Sequence, residues 1–293
     1  MSECAPTIGQ LAQLACTWEV LARKAGNVCP GREFPDLTVN DFLKSAAAIA
    51  PILDQAPTQP LGVTILRCIE ETRKVVNTNT NLGIVLLLAP LASVPLAEPL
   101  QTGLARILAA TTIEDSRNVF AAIRLARPGG LGDAPEQDIK GEPTLPLRDV
   151  MALAAERDLI AEQYVKNYAS LFEWVVPDLV QRVQHRRNVE QAIVENQITL
   201  LIMRPDSHIR RRCGDLEVAE LRQAALEIPP PETPEGCEAY RKLDAWLRSD
   251  NHARNPGTTA DLIAAALFVA LREGQIVVDA PFAWDGHPFA QHD

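Results

Sequence analysis

Apolar residues recur at three- and four-residue intervals along almost the whole chain, a spacing that predicts helices throughout. Residues 8–24 carry them at 11, 14, 15, 18, 21 and 22, and Gly26 follows where such a helix would stop. Thr38 with Asp41 reads as a capping box opening a helix to about residue 53. Thr112 with Asp115 repeats the pattern for 113–126. Asn255-Pro256 places Pro at a first helical position and opens a helix to about residue 272. Further helices are expected at 61–77, 82–93, 98–110, 147–171, 175–204, 215–227 and 234–249. Strand signals are nearly absent, apart from 275–279. The expectation is an all-α chain, one domain over 1–293 with about ten helices and a polar site at helix ends and loops. Two breaks stand out. The segment 128–146 is rich in Gly, Pro and acids and is longer than a routine connection, whereas 229–234 reads as a stiff Pro-rich linker.

One polar stretch interrupts two segments that want burial: Asn77-Thr78-Asn79-Thr80-Asn81-Leu82-Gly83. Asn and Thr compete with the helix backbone for hydrogen bonds, so they suit caps and turns. Either this knot is only a connection between helices, or its amides and hydroxyls face a ligand. The apolar run after it, 82–97, is broken by Pro90 and Pro95. It is too short to span a membrane and reads as a core helix and its exit.

Composition narrows the partners. The 293 residues carry a formal net charge of -10, and only Arg210-Arg211-Arg212 forms a basic run, which argues against nucleic acid. The six cysteines, at 4, 16, 29, 68, 213 and 237, have neither C-x-x-C nor zinc-finger spacing. They read as reduced, buried thiols of a cytoplasmic protein, and no cationic, apolar signal sequence opens the chain. No membrane association is expected, and a homo-oligomer stays open.

Polar residues gather at predicted helix ends. They include Glu19, Lys24, Asp36, the knot, Gly129-Gly130 with Gly132, Arg157-Asp158, Asp206-Ser207 and the segment from Pro256 to Asp261. Carboxylates, cations and glycine-exposed helix N-termini are what a magnesium–nucleotide site needs. Each also has a plain structural use: Asp206 could cap a helix, and the triple Arg could be a solvated face. Neither a Walker A motif nor a Rossmann fingerprint is present, and His185, His208, His252, His287 and His292 show no ligand spacing.

Four of these segments, in order, resemble the triphosphoribosyl-dephospho-CoA synthase family. Glu19-Val20 with Lys24-Ala25-Gly26-Asn27-Val28 resembles its E-V…K-P-G-L-V segment. Asn79-Thr80-Asn81-Leu82-Gly83 resembles N-T-H-K-G. Asp206-Ser207 through Arg211, Arg212 and Gly214 is similar to D-[ST]…R-x-G, and residues 255–262 to S-P-G-G-S-A-D-L. Ala25 stands in place of Pro, Asn81 of His, Leu82 of Lys, and Thr258-Thr259 of Gly-Ser. These departures mark a divergent branch, similar to members associated with pterin-dependent one-carbon metabolism.

The resemblance implies a reaction in which a hydroxyl of 3′-dephospho-CoA, or a related acceptor, attacks C1 of the ATP ribose and expels adenine. It implies Mg2+ as cofactor, held by Asp36 and Asp206, which with Asp261 are the catalytic candidates. Lys24, Arg211 and Arg212 would neutralise triphosphate, and Asn79, Thr80 and Asn81 would orient ribose or phosphate. Gly83, Gly257 and Thr258 complete the expected substrate-binding set. Two other readings stand beside it: an N-ribosyl hydrolase using water, and a non-catalytic nucleotide-binding scaffold.

Overall fold

In the computed structural model, residues 5–128 and 136–289 are described; the glycines at 129, 130 and 132 lie outside them. The first six helices are α1 (Ile8–Leu21), α2 (Val39–Gln55), α3 (Leu61–Val75), α4 (Leu82–Ala92), α5 (Leu100–Ala109) and α6 (Ile113–Ala126). Next come α7 (Leu147–Ala152), α8 (Leu159–Val165), α9 (Val176–Arg186) and α10 (Val189–Met203). The last four are α11 (Ser207–Cys213), α12 (Asp215–Leu226), α13 (Pro234–His252) and α14 (Gly257–Arg272). The chain is all-α as expected. The residues 275–279 form turns instead of a strand, because among the described residues no strand lies beside them to share backbone hydrogen bonds.

Both predicted capping boxes form: Thr38 and Asp41 bond reciprocally at the head of α2, as do Thr112 and Asp115 at α6. A third, Thr7 with Gln10, starts α1. The helix count exceeds the expectation because two long periodic stretches are broken and the residues after Asp206 form a short helix of their own, α11. The segment 175–204 divides at Arg187, which is left-handed (φ 55°), and Asn188 caps α10 through the amide of Gln191. The segment 147–171 divides where Asp158 caps α8, its Oδ1 accepting from the amides of Ile160 and Ala161 at 2.8 and 3.1 Å. It breaks again at Asn167 and Tyr168, both at positive φ.

The core explains that second break. Helix α4 is apolar on every face and almost wholly buried, packed against α14, whose residues from Leu262 to Leu271 are also buried. Pro90 lies inside α4 and lacks the N–H that would have bonded the carbonyl of Leu86. The fully buried Tyr164 donates its hydroxyl to that carbonyl at 2.7 Å, and Tyr168 donates to Leu87 O at 3.1 Å. The turn at 167–168 brings the second phenol to the first. No described helix is long and apolar enough to cross a membrane.

Beyond α14 the chain runs back across α1 and α10. The carbonyls of Pro281 and Phe282 accept from the amides of Val189 and Glu190 at 2.9 and 3.0 Å, filling the first turn of α10. Arg23 bridges the Glu190 carboxylate, at 2.7 Å through Nε, and the Trp284 carbonyl. His287 donates Nε2–H to Arg23 O at 2.9 Å and accepts the Phe289 amide at Nδ1. Burial pushes its pKa down to about 4, so the ring stays neutral and both bonds persist.

Replacing Tyr164 by Phe removes the close partner of a buried carbonyl without changing the ring, leaving only the 3.5 Å contact from the Tyr168 hydroxyl. We expect a loss of about 1–3 kcal/mol, read as a lower urea midpoint at unchanged m-value.

Candidate active site

A cavity of about 620 Å³ opens where α1, α4, α6, α7, α8, α11 and α14 meet. Asn79, Thr80, Asn81, Gly83, Arg211, Gly257, Thr258 and Asp261 line it, so eight of the residues singled out in the sequence converge. Glu19, Asn27, Arg157, Asp158, His208, Arg210 and Asn255 line it too. One wall is apolar, built by Val119, Phe120 and Ile123 of α6 with Leu147, Val150 and Met151 of α7.

The knot forms the head of α4. Asn79 Oδ1 accepts the Leu82 amide at 3.2 Å, and Asn81 has no side-chain capping bond. The amides of Gly83 and Ile84, in the first helical turn, have no partner among the described residues. Thr80 shares a 2.6 Å bond with Ser45, and Asn81 donates to Thr72 Oγ1 at 3.0 Å, while Asn81 Oδ1 is buried without a partner. Gly83 allows close approach: a Cβ there would fall 2.0 Å from Asp261 Oδ2.

Helix α14 begins beside it without a side-chain cap from its own N-cap residue, Pro256. Asp206 does that work from α11. Its Oδ1 accepts from the amides of His208 and Ile209 at 2.9 and 3.0 Å. Its Oδ2 accepts the amide and the hydroxyl of Thr259, both at 2.8 Å. Ser207 adds a bond to Thr258 Oγ1 at 2.9 Å and receives the Leu159 amide at 3.4 Å, tying α8 to the same junction.

Asp261 faces the cavity one turn into α14 and makes no hydrogen bond among the described residues. Burial, and then the charges of Glu19, Asp206 and Asp158, push its pKa well above the usual carboxylate range; Arg211 opposes them. The carboxyl therefore holds its proton to higher pH than an ordinary aspartate. Glu19 has a different setting, 2.9 Å from the ammonium of the buried Lys24. Arg211 lies 3.5 Å from Asp158, and Arg210 2.6 Å from Asp215.

Four of the expected site residues do not line the cavity. Lys24 does not reach the cavity: it is buried, and its ammonium bonds Glu19 Oε1, Glu19 O and Ala22 O. Asp206 is also buried, and four protein donors fill its oxygens, leaving no lone pair for a metal. Asp36 and Arg212 are exposed and lie outside the cavity lining. Glu19 and Arg157-Asp158 were visible in the sequence as polar helix ends but carried no assigned role. Asn27 and Asn255 lay within the segments that carry the family resemblance but had no assigned role, and no spacing signal singles out His208, which the fold alone brings in.

The close packing at Gly83 gives a direct check. Gly83→Ala should destabilise the protein by about 1–3 kcal/mol in thermal melts, because its methyl group collides with Asp261. The double variant Gly83→Ala/Asp261→Ala, which removes the colliding carboxyl, should recover much of that loss.

Two comparisons bear on this arrangement. A crystal structure from Archaeoglobus fulgidus, described as a candidate triphosphoribosyl-dephospho-CoA synthase, superposes with a TM-score of 0.64 at 27% identity. The match covers 80% of this chain and 100% of that one. No curated protein matches the sequence. The sequence profile of ATP:dephospho-CoA triphosphoribosyl transferase matches residues 5–277, and the chain belongs to that family.

Proposed function

We infer that the enzyme carries out its family's transfer in this cavity, moving the triphosphoribosyl group of ATP onto a hydroxyl of dephospho-CoA or a related acceptor. The observation that carries the reading is Asp261, a carboxyl with a raised pKa set against Gly83 at the head of α4 and one turn into α14, beside the unpartnered amides of Gly83 and Ile84. Cleavage of the N-glycosidic bond sends its electron pair to adenine and leaves an oxocarbenium-like ribosyl group. Asp261 donates its proton to the departing base. Glu19, kept in place by Lys24, puts negative charge beside the developing cation. Two carboxyl groups in one site thus take two roles, set by their surroundings.

The triphosphate is received by the free amides of Gly83 and Ile84 with Arg157, Arg210 and Arg211. Asn79, Thr80, Asn81, Gly257 and Thr258 shape the walls around the ribose, and the apolar α6–α7 wall suits the flat adenine. Among the described residues no group of three metal-binding side chains occurs. That fits Mg2+, which takes one or two carboxylates and draws its remaining ligands from phosphate and water. Asp158 suits such an ion, its Oδ2 held only by the long contact to Arg211. Bound there, the ion would neutralise triphosphate charge and fix the ribose. Lys24 and Asp206 act behind the walls, on Glu19 and on the α11–α14 junction.

Incubation with ATP, Mg2+ and 3′-dephospho-CoA should release adenine in equal amount to a triphosphoribosylated product, followed by chromatography and mass spectrometry. Adenine with free triphosphoribose would indicate water as acceptor, and ATP binding without adenine would remove the catalytic reading.

Asp261→Asn should lower kcat by about 10²–10⁴-fold while leaving the fold intact. The raised pKa means the folded state holds a proton that the unfolded state has lost. Stability should therefore fall as pH rises from the ordinary carboxylate range through the folded pKa, and Asp261→Asn should flatten that slope in urea titrations.

A further inference from the structure

We propose that His208 is the base that takes the proton from the attacking hydroxyl of the acceptor. This rests on the transfer reading above and adds the group that reading lacks. His208 lies in the first turn of α11 and lines the cavity. Its Nδ1 stands 3.0 Å from the carbonyl oxygen of Asn255. A carbonyl only accepts, so the ring proton sits on Nδ1 and Nε2 carries the lone pair. Nε2 has no hydrogen-bond partner among the described residues.

The backbone at Gly257 fixes which edge of the ring is free. A Cβ there would come within 2.9 Å of His208 Nδ1, 3.5 Å of Cγ and 3.7 Å of Cε1. The glycine therefore lies against the Nδ1 side, and Nε2 with Cδ2 forms the edge turned away from it. Asp206 bonds the His208 amide, so the start of α11 and the loop before α14 hold the imidazole from two sides.

The charges around the ring favour a neutral base. Burial lowers its pKa below the usual value, and Arg211 and Arg212 lower it further, against Asp206 and the Asn255 bond. Two nearby carboxyl groups are poorer bases: Asp206 accepts four bonds, and Asp261 holds its proton to higher pH than an ordinary aspartate.

The step balances. The acceptor oxygen bonds to C1 of the ribose and its proton passes to Nε2. The bond from C1 to adenine breaks, its electron pair leaves with the base, and the base takes the proton of Asp261. His208 then gives its proton to solvent and Asp261 regains one, with no oxidant or reductant involved.

Two measurements test the proposal on the full-length protein. Long-range 1H–15N spectra of histidine-labelled enzyme should show His208 protonated at Nδ1 and bare at Nε2; the opposite tautomer overturns the proposal. His208→Gln should cut transfer kcat by about 10²–10⁴-fold, with the melting temperature and the calorimetric affinity for ATP near wild type. Part of the lost rate should return as pH rises, because a more ionised hydroxyl needs less help. If His208→Gln fails to fold, His208→Asn takes its place in the same assays. Turnover within threefold of wild type sinks the base role alone. A wild type that releases no adenine with 3′-dephospho-CoA or another hydroxyl acceptor sinks the transfer reading and the base role together.

Discussion

The site depends on one buried carboxylate that never touches the cavity. Asp206 ends the coil before α11 and completes the first turn of α14, with two donors on each oxygen. Hydrogen bonds to an ionised group are about twice as strong as neutral ones, and each bond here also satisfies an orphan of a helix terminus or a buried hydroxyl. The junction fixes His208, Thr258 and Asp261 relative to one another. A single side chain thus converts two separate helix starts into one rigid corner.

A second constraint works from the opposite side. The turn after α1 is pinned at Ala25 by Gln197 and Tyr240, at Gly26 by Asp244, and at Asn27 by Asn255 and Gln197. Gly26 has φ of +74°, and a Cβ there would come 2.7 Å from that of Leu247, so both its conformation and its surroundings require glycine. This turn presents Asn27 to the cavity and keeps Lys24 behind Glu19. The strap at 281–289 holds Arg23, one residue earlier, and lies beyond the segment that the family profile matches.

Much of the architecture was legible because its causes are local. Capping boxes at Thr38 and Thr112 are written in four residues, and the period of α2 and α6 follows directly. The divided helices were not legible, since the cause of the turn at Tyr168 lies in α4, where Pro90 frees a carbonyl. The knot was recognised because Asn and Thr are costly inside a helix. Lys24 and Asp206 were read as ligand groups for the same reason that Asp261 was: sequence shows a charge and not the direction it faces. Two of those three turn inward, where other protein groups satisfy them. His208 gave no signal at all, because its position depends on Asn255 and Gly257, far along the chain.

The described lining of the cavity carries six carboxyl side chains and only three arginines. Three of the six are paired with cations, Glu19 with Lys24, Asp158 with Arg211 and Asp215 with Arg210. A bare polyphosphate would therefore compete with carboxylates for the same cations, most strongly at low ionic strength, when the Debye length is long. Helix heads offset that competition only at contact, since their partial charges fade within a turn. Such an entrance would favour nucleotides that bring countercharge with them. Discrimination of this kind would act before any atom of the base or sugar is recognised, and it would make occupancy depend on the cation content of the surroundings as well as on nucleotide concentration.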